Sequence, residues 1–120
     1  MEMKKKKIGG QTVKLEHPPK IISTHSIVGP KEGEGPLSSY FDVILNDDTC
    51  GKDTYEQAES QMMFTAISEA LKKANLKEKD IDYLFSGDLL NQIISSSFAA
   101  REFSIPFFGL YGACSTMSES

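Results

Sequence analysis

Long apolar runs are missing from this sequence, and with them the usual route into a bilayer. The two longest charge-free stretches, between Asp88 and Arg101 and between Glu102 and Glu119, are interrupted by Asn, Ser, Pro and Gly and fall short of the roughly 20 apolar residues a span needs. Clustered positive charge is also scarce. There are 13 Lys plus Arg against 17 Asp plus Glu, a net charge of −4, and the isoelectric point lies near 5.1. The one basic cluster is Lys4, Lys5, Lys6 and Lys7. Nucleic acid and anionic membranes are recognised through clustered Lys and Arg, so both are excluded as main partners. The four lysines read as a solvated tail in preference to a lipid anchor, and residues 1–10 as a flexible basic N-terminus. A secretory signal is not expected either, because Gly9, Gly10 and Gln11 stand where about 7–15 apolar residues should follow the basic start. Two cysteines make no disulfide framework. Cys50 lies in the polar run Asp47-Asp48-Thr49-Cys50-Gly51-Lys52 without the Cys or His neighbours that a metal site requires, so neither metal nor cofactor is expected.

What is present is a pattern of alternating elements. Residues 12–16 alternate polar and apolar side chains as the arm of a hairpin would, and residues 20–28 are β-branched and mostly uncharged, which suits a buried strand stopped by Gly29-Pro30. Residues 29–52 read as one long connection, with only the patch from Tyr40 to Leu45 to order it. A helix is predicted over residues 54–75. Thr54 and Gln57 have capping-box spacing; Ala58, Met62, Ala66, Ile67, Ala70, Leu71 and Ala74 recur at helical intervals; Asn75 suits a left-handed end. Residues 81–86 read as a strand stopped by Gly87. Residues 90–103 read as a second helix, with Ile93, Ile94, Phe98 and Ala99 on one face and Ser95, Ser96 and Ser97 weakening its propensity. Residues 105–110 read as a third strand. The order strand, helix, strand, helix, strand implies α/β architecture, with two right-handed crossovers and a mostly parallel sheet. Ligands of such sheets bind at the carboxyl ends of strands. Here those ends carry Val28-Gly29-Pro30, Ser86-Gly87-Asp88 and Gly112-Ala113-Cys114.

Four segments, Glu16-His17-Pro18, Val28-Gly29-Pro30-Lys31-Glu32-Gly33-Glu34-Gly35-Pro36-Leu37, Ser86-Gly87-Asp88-Leu89-Leu90-Asn91-Gln92 and Phe108-Gly109-Leu110-Tyr111-Gly112-Ala113-Cys114-Ser115-Thr116, occur in the order and spacing of one family. Through them the chain resembles the stage V sporulation protein AD family of spore-forming bacteria from residue 11 onward. The resemblance implies a thiolase-like fold related to ketoacyl synthases, of which residues 11–120 would be part of the N-terminal half, truncated after the cysteine-bearing strand-to-helix turn. It implies a protein that binds dipicolinic acid, pyridine-2,6-dicarboxylate, for uptake into the developing spore and release on germination. Such a protein works with membrane-embedded partners of the same uptake system, intracellularly and peripheral to the spore inner membrane. The resemblance also allows a homodimer of the full-length form. The alternative is an acyltransferase in which Cys114 accepts the acyl group, although His17 and His25 do not match the partner positions such enzymes draw from the second half.

Cys114, following a strand and preceding a helix start, reads either as a nucleophile or pocket-floor residue or as an inert cysteine. Asn91, Gln92, Gly112, Cys114, Ser115 and Thr116 are the candidate ligand contacts, because side-chain and backbone donors there suit a dicarboxylate. Asp88 would repel that ligand and is expected to act behind the contacts or to cap the second helix, with Asn91 and Gln92 in its first turn. Gly33-Glu34-Gly35-Pro36 lacks the spacing of a phosphate loop, and Glu32 and Glu34 would repel phosphate.

Overall fold

The structure, a computed structural model, describes residues 7–120; the basic run before Lys7 lies outside them. Two parallel strand pairs and a long helix organise the chain. The first pair is β1 (Ile27–Val28) with β2 (Val43–Ile44), and between them lies the short helix α1 (Pro30–Gly33). The second pair joins β3 (Leu84–Ser86) and β4 (Phe107–Gly109), with helix α3 (Ile94–Ala100) in the crossover. Helix α2 (Tyr55–Ala74) connects the two pairs, and α4 (Thr116–Glu119) follows β4. The architecture is therefore mixed α/β with parallel pairing. It departs from the single sheet expected above, because the described strands form two separate two-stranded sheets.

Helix α2 starts and stops where its sequence dictates. The Thr54 hydroxyl accepts from the Gln57 amide at 3.3 Å, the Gln57 side chain accepts from the Asp53 amide, and Asn75 closes the helix in the left-handed region with φ 55°. A short polar side chain tolerates that conformation, which is why asparagine serves here. Thr54→Ala should cost about 1 kcal/mol of stability by leaving the amide of the first turn uncapped. A shift in the urea midpoint checks this, and an unchanged midpoint would mean that the cap contributes nothing.

Several expected elements are shorter or differently placed. Of residues 20–28 only the last two are paired, and Ile21 is 86% exposed. The hairpin at the start reduces to one antiparallel bridge, Lys7 with Val13. The connection of residues 29–52 holds α1, a 3-10 turn at Ser38–Tyr40 and the unexpected β2. Strand β2 is fixed by tertiary bonds. Asp42 accepts from the Ser26 amide at 2.8 Å and from Lys73 of α2, and the Val43 amide donates to the Ser26 carbonyl. The Lys73 ammonium and the Ser26 amide hold the Asp42 carboxyl down to about 2.

The second helix is corrected in both length and phase. It begins at Ile94 instead of residue 90, and Ser95, Ser96, Ala99 and Ala100 are its buried face, whereas Ile94 and Phe98 are 44% and 50% exposed. The small face permits close approach to α2, where Ala58 is buried and the Ser60 hydroxyl donates to the Ser95 carbonyl at 2.6 Å. Beyond it, Phe64 stacks on Phe103 at 5.2 Å between ring centres, and Ile105 is buried. On the outer face of the second strand pair, Tyr83, Phe85 and Phe108 form an exposed aromatic cluster.

Candidate functional site

The carboxyl ends of β3 and β4 lie side by side, because the pairing runs Leu84 with Phe107, Phe85 with Phe108 and Ser86 with Gly109. The two loops leaving these ends are in close contact. A Cβ placed on Gly87 would lie 2.2 Å from the Leu110 carbonyl oxygen and 3.0 Å from both the Oγ1 and Cγ2 atoms of Thr116. Glycine is needed here for the approach of a second backbone, a requirement of the tertiary structure that strand termination alone does not convey.

Asp88 follows immediately and is 8% exposed. Its Oδ1 accepts from the Ile93 amide at 3.0 Å, and its Oδ2 accepts from the Ser96 amide and the Ser96 hydroxyl, each at 2.8 Å. Burial pushes the Asp88 pKa up, but the Ser96 amide and hydroxyl and the Ile93 amide together outweigh it, so the net direction is below the ordinary aspartate value. The carboxylate thus serves the start of α3 from outside the helix. Asn91 and Gln92 are not in the first turn of α3, as expected above, but in the loop that precedes it. The Asn91 carbonyl accepts from the Ile94 amide, and Gln92 is exposed with φ 47°. On the other side of this loop the Leu89 amide donates to Glu59 Oε1 of α2 at 3.0 Å.

The second loop carries Gly112, Cys114, Ser115 and Thr116. Cys114 lies in a 3-10 turn, Ala113–Ser115, between β4 and α4, and is exposed. The Ser115 hydroxyl sits between the Gly112 carbonyl, at 2.8 Å, and the Glu119 carboxylate, so its one hydrogen serves one acceptor at a time. Gly112 has φ −143°, an ordinary backbone value, and its open Cα face is filled by Ser115 Oγ and the Glu119 oxygens. Thr116 Oγ1 is buried and makes no hydrogen bond.

The structure therefore brings Gly87, Thr116 and Leu110 together, and ties Asp88 to Ser96. Among the described residues no hydrogen bond joins the Asn91 or Gln92 side chain to the Gly112–Thr116 turn. Glu59, Glu119 and Ser96 are participants that residue patterns do not reveal, since Glu59 and Ser96 reach Leu89 and Asp88 from 30 and 8 residues away. No histidine is presented to Cys114: His25 lies 3.8 Å from Asp42 beside the other strand pair, and His17 is exposed in the N-terminal segment. A separate groove of about 570 Å³ between α2 and α3, floored by Phe64 and Ala99, holds none of these residues. No described helix is long and apolar enough to cross a membrane.

Comparison with known proteins agrees with the segments singled out in the sequence. Residues 9–120 match the family Stage V sporulation protein AD (SpoVAD). The chain is 45% identical over 112 residues to the Stage V sporulation protein AD of Bacillus subtilis (strain 168), an alignment that covers 93% of this chain and 33% of the relative. The chain thus spans about a third of the length of the curated relative it matches.

Proposed function

The chain belongs to the Stage V sporulation protein AD family, and from that premise we propose that it is part of a non-enzymatic spore protein with a thiolase-like fold that binds dipicolinic acid. Dipicolinate would be taken up during sporulation and released in germination, in concert with membrane-embedded partners at the spore inner membrane. A homodimeric full-length form is part of the same reading.

The observation that carries the proposal is the unpartnered Thr116 hydroxyl, set against Gly87 where the two strand ends meet. Buried polar groups are nearly always hydrogen-bonded, and an orphaned one at the carboxyl ends of parallel strands, where ligands of such sheets sit, supports a ligand site there. The Thr116 hydroxyl can donate to a carboxylate, and an aromatic dicarboxylate offers four acceptor oxygens. Asp88 is fully engaged with Ile93 and Ser96, and it acts behind the contacts.

Calorimetric titration of the native protein with dipicolinate tests the reading, run beside mass spectrometry after exposure to acyl-thioesters. Cys114→Ser should leave the affinity within about tenfold, or about 1.4 kcal/mol. Acylation of Cys114 without dipicolinate binding would replace this reading with the acyltransferase one.

A further inference from the structure

The loop of residues 88–93 is held in a conformation that its own residues resist. Gln92 and Ile93 both have positive φ, 47° and 62°, a region that costs an L-residue roughly 1–2 kcal/mol and that a β-branched side chain rarely enters. Three attachments keep it there. Glu59 takes the Leu89 amide at one end, and Asp88 takes the Ile93 amide at the other. The third is packing: Ile93 Cδ1 lies 3.3 Å from where a Cβ on Gly109 would stand, so the side chain covers the glycine that ends β4.

This arrangement also leaves polar atoms unsatisfied at both flanks of the loop. Glu59 Oε2 and Thr116 Oγ1 are buried without hydrogen-bond partners, the first on the carboxylate that grips Leu89 and the second against Gly87, at the root of the loop. Between these points Leu89 and Leu90 are exposed, 63% and 54%. Backbone strain and solvent-facing leucines thus coincide in one segment beside the strand ends, with an orphaned polar atom at each flank. Strain of this kind persists only where surrounding contacts impose it, and it collects at switch and clamp positions.

We propose that residues 88–93 are a strap with two positions, closed as described here and open when ligand enters, and that opening relaxes Gln92 and Ile93 while giving the Thr116 hydroxyl access to the ligand. This role rests on the ligand-binding reading above. In the open position the Leu89 amide leaves Glu59, and Leu89 and Leu90 move to face the apolar ring of an aromatic carboxylate. The strain stored in the closed strap offsets part of the cost of opening it.

Amide hydrogen exchange on the native protein tests the strap, with and without dipicolinate. Gln92→Gly is the informative variant, because position 92 is exposed and glycine adopts positive φ without penalty. It should make the closed strap harder to open, slowing exchange of the Leu89 and Ile93 amides by about fivefold or more. Unchanged or faster exchange in that variant, with a native circular dichroism spectrum, overturns the strap. In the wild type, dipicolinate should alter exchange at Leu89 and Ile93 by a comparable factor. Binding that leaves those amides untouched overturns the access role. Absence of binding overturns the ligand reading and the access role together, and the glycine variant still decides the strain.

Discussion

Gly87→Ala should be among the most damaging single substitutions in this chain, lowering stability by about 3 kcal/mol and weakening the proposed dicarboxylate binding with it. The added Cβ would sit 2.2 Å from the Leu110 carbonyl oxygen, closer than real contacts allow. What blocks it is backbone, which cannot swing aside as a side-chain tip does. The loop after β4 must retreat, and the Leu110 amide then loses its 2.8 Å bond to the Ser86 carbonyl, the last rung between the strand ends. Against a total of about 5–15 kcal/mol for a typical domain, such a loss is large. Gly112→Ala provides the contrast. Its Cβ meets Ser115 Oγ at 2.2 Å and the Glu119 carboxylate oxygens at 2.7 and 2.9 Å, all of them on side chains that can rotate away. About 1 kcal/mol is expected, the worth of the Ser115 hydrogen bond that shifts. Urea midpoints of the two variants measured side by side decide the matter. Equal midpoints would mean that the close approach at Gly87 is not what joins the two loops.

The second large effect is expected at Asp88. Removing its carboxylate by Asp88→Ala leaves the Ser96 and Ile93 amides without their acceptor and the Ser96 hydroxyl with only the Ile93 carbonyl at 3.2 Å, and Ser96 has no exposed surface through which water could replace the lost group. Each stranded buried donor costs about 1–3 kcal/mol, so a total near 3–4 kcal/mol is expected after partial relaxation of the loop. The pH dependence has a definite sign. The folded-state pKa of Asp88 is lowered, so its contribution is present above the unfolded value of about 3.9 and is lost as the pH falls through the folded value. Asp88→Asn should therefore flatten the acid limb of the stability curve while lowering the neutral plateau. An unchanged acid limb in that variant would show that other carboxylates govern acid unfolding.

Both predictions concern residues whose importance the sequence displays incompletely. Gly87 and Asp88 stand out as punctuation after an apolar run, and capping is a natural reading for an aspartate there. What the run does not convey is that Gly87 meets Leu110 and Thr116, or that Asp88 reaches over the intervening loop to Ser96. The Gly112–Thr116 turn was legible as a strand-to-helix junction. The side chains that fill it are those of Ser115 and Glu119, which places its glycine under side-chain crowding rather than under a backbone requirement.

Local information determined those features whose causes are local. Helix α2 follows from a 3.6-residue apolar period between a threonine cap and a left-handed asparagine, and all of these interactions close within four residues along the chain. The parallel partnership of β3 and β4 follows from two apolar runs separated by a helix-length segment. The charge balance and the lack of an apolar span likewise need no coordinates. The tertiary structure decided the rest. Strand β2 exists because Asp42 finds Ser26 and Lys73, 16 and 31 residues away. Helix α3 turns Ser95 and Ser96 inward and leaves Ile94 and Phe98 outside because Asp88 sets its start and α2 requires a small face against Ala58 and Ser60. Its phase is fixed by partners distant in sequence, and hydrophobic periodicity, which assumes that the apolar side is the buried side, carries no record of them.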